Sequence, residues 1–131
     1  MKIFLDTNVW LSALIFSGLC AELLAVVDES SHELLTSELV KTEVLEVLQR
    51  KFHDHIEAQE IFTGLWESHA RMLPDVAEPT DDADRRLVNA AAIAHADFFV
   101  TGDQRVLGWE KQDSMHIVSP RVMYQQLKGL V

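Results

Sequence analysis

The chain predicts an α/β fold, a three-layer α/β/α sandwich around a central parallel sheet, on three observations. Strand-like and helix-like segments alternate along it, the order that β-α-β crossovers produce. The late β-prone run Phe98-Phe99-Val100 is apolar at every position, as befits a strand covered on both faces. The length of 131 residues, 48% of them hydrophobic, suits one core, so residues 1–131 are read as a single domain.

Lys2, Ile3, Phe4 and Leu5 form a short strand ending at Asp6. Asn8, a good N-cap residue, is read as opening a helix over residues 9–16. Gly18 interrupts, and AELLAVV over residues 21–27 continues as a helix into the polar turn Asp28-Glu29-Ser30-Ser31. A second strand covers residues 33–36. Ser37 then caps SELVKTEVLEVLQRKF, whose apolar residues 39, 40, 44, 47 and 48 share one helical face with Glu43. A further helix is expected over residues 54–71, with Ile56, Ile61, Phe62, Leu65 and Trp66 inward. An extended segment over residues 72–76 and a loop over residues 78–82 containing Pro79 follow. Asp84 opens DRRLVNAAAIAHA, where Leu87, Val88, Ala91 and Ala92 make a stripe suited to close packing on a sheet, and Asp84 shares that stripe. After the strand at 98–100, Thr101-Gly102-Asp103 turns the chain; a strand near residues 116–118 and a helix over 120–127, with Pro120 in its first turn, complete the set.

Eleven basic residues against 21 acidic give a net charge of -10, which argues against broad attraction to nucleic acid or anionic membrane. A nuclease stays compatible with that charge, because metal offsets part of it and a strand can follow local clusters such as Arg50-Lys51 and Arg85-Arg86. Such clusters are more often solvated helix ends. No apolar run approaches the roughly 20 residues of a bilayer span, and the segment after Met1 and Lys2 is too short for a secretory signal. The expectation is a soluble, cytoplasmic protein with no membrane partner. Cys20 is the only cysteine, so no internal disulfide forms, and its apolar neighbours mark it as a packing residue.

Four acids stand where a polar side chain is unwelcome. Asp6 and Asp103 follow apolar strands, Glu43 interrupts a helical apolar stripe, and Asp84 begins a helix. Open parallel sheets carry their sites at the carboxyl ends of the strands, so these groups can converge there. Two like charges ~4 Å apart repel by roughly 4 kcal/mol at an effective dielectric near 20, a penalty that a divalent cation removes. An all-oxygen set suits magnesium or manganese, and the six histidines lack the paired spacing of a zinc site. Each acid also has a plainer role. Asp6 can cap a helix, Asp84 can favour a helix dipole, Asp103 can be a turn residue, and Glu43 can swing its head into water. Asp81 and Asp82 crowd Asp84 and are alternatives to it, although only Asp84 shares the helix stripe. Glu38, Glu46, Glu57 and Glu60 read as solvated, His53, His55 and His69 as exposed or partly covered, and Trp10, Trp66 and Trp109 as packing or interface residues rather than base-stacking platforms.

FLDTNVWLSAL near the start, SELVKTEVLEVL in the middle and DRRLVNAAAIAHADFFVTGD late, in that order, resemble the PIN-domain family over nearly the whole chain. The resemblance implies a metal-dependent ribonuclease that hydrolyses RNA phosphodiester bonds, of the kind found as VapC-like toxins paired with an antitoxin, and commonly a homodimer. It places Asp6, Glu43, Asp84 and Asp103 at the family's acidic positions, with Asn8 and Thr101 as supporting polar residues. One or two Mg2+ or Mn2+ ions held by these acids would then activate water for in-line attack. The chain departs from the commonest late motif at Arg85, Arg86 and Asn89. Two rival functions remain. The Asp-Thr-Asn after the first strand is similar to the Asp-x-Asp of haloacid dehalogenase phosphatases, with Asn8 in place of the general acid. An inactive PIN-fold protein acting by binding alone is the rival from another class.

Overall fold

The computed structural model describes residues 1–68, 70–73 and 82–129. Its elements run β1 (Lys2–Leu5), α1 (Thr7–Ile15), α2 (Leu19–Glu29), β2 (Glu33–Ser37), α3 (Glu38–Lys51), α4 (Ile56–Ser68), β3 (Ala70–Leu73), α5 (Ala83–Ile93), β4 (Phe98–Val100), α6 (Gln104–Leu107), β5 (Lys111–Gln112), β6 (Met115–Val118) and α7 (Pro120–Leu127). The expected α/β architecture is present. One six-stranded sheet has the order β3-β2-β1-β4-β6-β5. All pairings are parallel except β5 with β6, so the sheet is mixed at that one edge rather than wholly parallel.

Successive residues of β1, β2 and β4 are buried whichever face they point to, which requires helices on both sides of the sheet. Phe4 and Phe99 stack at 5.3 Å across the β1–β4 pair. In α3, Val40, Val44 and Leu48 recur every four residues on the buried face, and the Ser37 hydroxyl caps the helix by accepting from the Val40 amide at 3.3 Å. Both features match the sequence pattern. Trp10 of α1, fully buried, meets Phe62 of α4 edge-on at 5.1 Å.

Several elements differ from expectation for local reasons. The cap of α1 is Asp6, not Asn8; the helix starts at Thr7 and Asn8 lies exposed in its first turn. The α2 helix runs on to Glu29, absorbing half of the expected turn. The helix expected over residues 54–71 stops at Ser68, because Ala70 to Leu73 pair with β2 as β3. Its buried face agrees with expectation at Phe62, which packs with Ala58 inward and is held by the Trp10 contact, but not at Ile56 and Ile61, which are 65% and 51% exposed. Asp82 rather than Asp84 caps α5, and Asp84 is the second residue inside it. The short α6 and β5 had no counterpart in the hydrophobic pattern. His69, Asp81, the Trp66 side chain, most of the extended segment expected over residues 72–76 and the loop with Pro79 lie outside the described residues. Among the described residues no single helix is long and apolar enough to cross a membrane.

Candidate active site

In this strand order the chain winds outward from β1 through β2 and β3 on one side, then through β4 and β6 on the other. The crevice at such a switch point lies beyond the carboxyl ends of β1 and β4. Asp6 is the first residue after β1, and its amide donates to the Val100 carbonyl at 2.9 Å. Thr101 is the first residue after β4, and its amide donates to the Val118 carbonyl at 3.0 Å. These two backbone bonds continue the sheet one step past each strand and set the two side chains beside each other. The Thr101 hydroxyl then donates to Asp6 Oδ2 at 2.7 Å, with both residues buried. The same hydroxyl oxygen accepts from the Asp103 amide at 3.1 Å.

Asp6, Thr7, Asn8 and Leu11 from the start of α1, Glu43, Glu46, Val47 and Arg50 from α3, Asp84 from α5 and Asp103 line one pocket of about 290 Å³. All four acids singled out in the sequence are therefore brought to one place, with Asn8 on the wall. Thr101 is not on the wall but behind it. Glu43 is half-buried and accepts from the Thr7 hydroxyl at 2.7 Å, so the helix stripe that carries it points its head at the neighbour of Asp6 rather than into water. The plainer roles hold as well: Asp6 Oδ1 accepts the Thr7 amide at 2.8 Å, and Asp103 Oδ1 accepts the Arg105 and Val106 amides, capping α1 and α6. Capping fixes these carboxylates and does not remove them from the pocket.

The charges in the pocket act on one another. Burial pushes the Asp6 carboxyl above its ordinary value; the bonds from Thr101 and Thr7 oppose this, and the charges of Asp84 and Glu43 add to it. Asp84 is also raised, by desolvation, then by Asp103, with Arg105 opposing. Asp82, the alternative third acid, has a different occupation. Its carboxylate receives the Arg105 guanidinium at 2.7 to 2.9 Å and caps α5 through the Asp84 and Arg85 amides. Despite desolvation, the Arg85 amide and the Arg105 charge hold it below the ordinary carboxylate value.

Glu46 and Thr7 are not among the site residues expected from the sequence, and Arg50 enters there only within the Arg50-Lys51 cluster that a strand can follow. Glu46 read as solvated because it is exposed, yet at three residues after Glu43 it shares the same helix edge, and Arg50 follows one turn later. That spacing was the available signal. The donor chemistry of the pocket fits a hard divalent cation: every acidic side chain offers oxygen, and burial, with repulsion between the carboxylates adding to it, raises two of the four. Among the described residues no three histidine, cysteine, aspartate or glutamate side chains already surround one point as a metal cage. The acids stand around the walls of the pocket.

Residues 2–105 match a family profile described as PIN domain. Among solved structures, the chain is similar to the crystal structure of VapBC2 from Rickettsia felis bound to a DNA fragment from their promoter, with a TM-score of 0.67, 14% identity, and 91% of this chain and 98% of that chain covered. At that identity the likeness is one of fold. No curated protein gives a significant match.

Proposed function

Because the chain belongs to the PIN domain family, we propose that it is a magnesium- or manganese-dependent endoribonuclease, the toxin of a toxin–antitoxin pair. The observation that carries this reading is the convergence of Asp6, Glu43, Asp84 and Asp103 on one pocket at the carboxyl ends of β1 and β4. The likeness in fold to VapBC2 supports the toxin role and an antitoxin as partner.

Asp6 and Asp103 would hold the cation, with Glu43 and Asp84 completing its shell directly or through water. When bound, such an ion lowers the pKa of water and offsets charge gathering on the phosphate. The chain's own contribution is orientation. Thr101 clamps Asp6 through its hydroxyl and the Asp103 turn through its oxygen, so one side chain fixes two acids. Thr7 does the same for Glu43 and, by its amide, for Asp6. With one bond already accepted on each oxygen, Asp6 keeps further lone pairs for the pocket. Asn8, on the exposed wall, is placed to orient water or substrate by its amide.

The test is cleavage of a single-stranded RNA oligonucleotide in magnesium or manganese. Wild type cuts; Asp6→Asn does not, while its circular dichroism is unchanged. Full activity in Asp6→Asn removes the site from the mechanism. The open spacing of the carboxylates favours one second reading, an inert binding module. Manganese separates the two: a catalytic cluster gains thermal stability, by about 2.7 kcal/mol at a hundred times the dissociation constant, whereas an inert module does not respond.

A further inference from the structure

Three guanidinium groups lie in or near the acidic pocket, and their surroundings differ. Arg105 is committed. It gives three hydrogen bonds of 2.7 to 2.9 Å to Asp82, stands 3.5 Å from Asp84, and lies over the Trp109 ring at 4.9 Å. Arg85, its neighbour, is occupied too, stacked on the other contact of Trp109 at 3.6 Å and bonded to Gln112 at 3.0 Å. Arg50 is different. It is the one basic residue among those lining the pocket, it is exposed, and no ion pair among the described residues holds it, although Glu46 lies one turn before it.

Glu43, Glu46, Val47 and Arg50 form one stripe along α3, spaced three, four and seven residues from the first. The stripe runs from the acids at the pocket floor to the guanidinium at the end of the helix. A polyanion entering a pocket walled by five carboxylates needs a cation at the rim to offset repulsion. Arginine suits a phosphate there, because its planar fork donates two parallel bonds. Resting on the ribonuclease reading above, we propose that Arg50 binds a backbone phosphate of the RNA strand next to the bond that is cut, and that it sets affinity rather than the chemical step.

The test measures binding of a labelled single-stranded RNA oligonucleotide by fluorescence anisotropy over a potassium chloride series, with calcium in place of manganese. Turnover in manganese is measured in parallel. In Arg50→Gln the dissociation constant rises about tenfold and the salt slope falls by about 0.7, the value of one phosphate contact on a single strand. KM rises with it and kcat stays within about twofold. Arg50→Lys restores the slope but not the full affinity, since charge returns without the fork. Arg121→Gln, which removes the same charge from the exposed first turn of α7, leaves both quantities unchanged. An unaltered slope and affinity in Arg50→Gln overturns the proposal, and so does an equal effect in Arg121→Gln, which would assign the loss to net charge. Wild type that binds but never cleaves overturns the ribonuclease reading instead, and the anisotropy comparison still decides the phosphate contact. Wild type that does not bind RNA overturns both.

Discussion

Replacing Thr101 with valine keeps the shape of a fully buried side chain and deletes the hydroxyl that joins two acids. The bond to Asp6 is charge-assisted, and losing it costs about 1.5–3 kcal/mol; leaving the Asp103 amide without its acceptor adds about 0.5–1.5 kcal/mol. The extra buried methyl returns about 0.8 kcal/mol. The net loss for the metal-free protein at neutral pH is therefore about 1–4 kcal/mol. Its pH dependence has a definite sign. The Thr101 bond lowers the Asp6 pKa, so its charge-assisted part is present while Asp6 is ionised and is lost as pH falls through the folded pKa, which lies above the ordinary carboxylate value. Urea unfolding of wild type and Thr101→Val, in EDTA from pH 7.5 to 4.5, reads this as a lower midpoint with unchanged slope and a gap that narrows in acid. A gap below about 0.5 kcal/mol at pH 7, or one of equal size at every pH, refutes the argument.

Asp6→Asn should behave oppositely in the absence of metal. The net Asp6 pKa is raised, with burial as the largest cause, so the carboxylate's contribution is best below its unfolded pKa and is lost as pH rises through the folded one. Removing the charge should raise stability at pH 7 by on the order of 1 kcal/mol, fading on acidification; thermal melts in EDTA that show a less stable variant at neutral pH contradict this. Ser37→Ala removes the cap of the helix that carries Glu43 and should cost about 1 kcal/mol in urea unfolding. Phe62→Ala empties a fully packed position against Trp10 and should cost about 3–5 kcal/mol; a loss under 1 kcal/mol would show that α4 is not anchored there.

Elements whose faces are buried were legible because burial writes itself into spacing. The strand Phe98–Val100 and the helix Pro120–Leu127 match their expected limits, and α3 matches in cap and buried face. What the pattern missed was decided by tertiary pairing. The strand Ala70–Leu73 exists because β2 offers it a partner, and Ile56 turns outward because Phe62 is drawn to Trp10. The two-residue β5 and four-residue α6 are too short to show a period. The four acids were visible as polar residues in apolar settings. Glu46 was not, and Arg50 stood out only as half of a basic cluster, since an exposed charge on a helix looks the same whether it faces bulk water or a pocket. The choice of Asp84 over Asp82 rests on the stripe of α5; that Asp82 is bound by Arg105, a residue distant in the chain, was beyond sequence reading.

The antiparallel strand Lys111–Gln112 closes one side of the sheet. It is two residues long, carries an exposed lysine, and is bounded by Glu110 and Asp113 with positive φ angles of 61° and 53°. A border so short and bent gives a neighbouring molecule almost no ladder to extend, and its charge discourages stacking. Any association along that flank has to be made by side chains, which leaves the sheet guarded against growing into a fibre from that end.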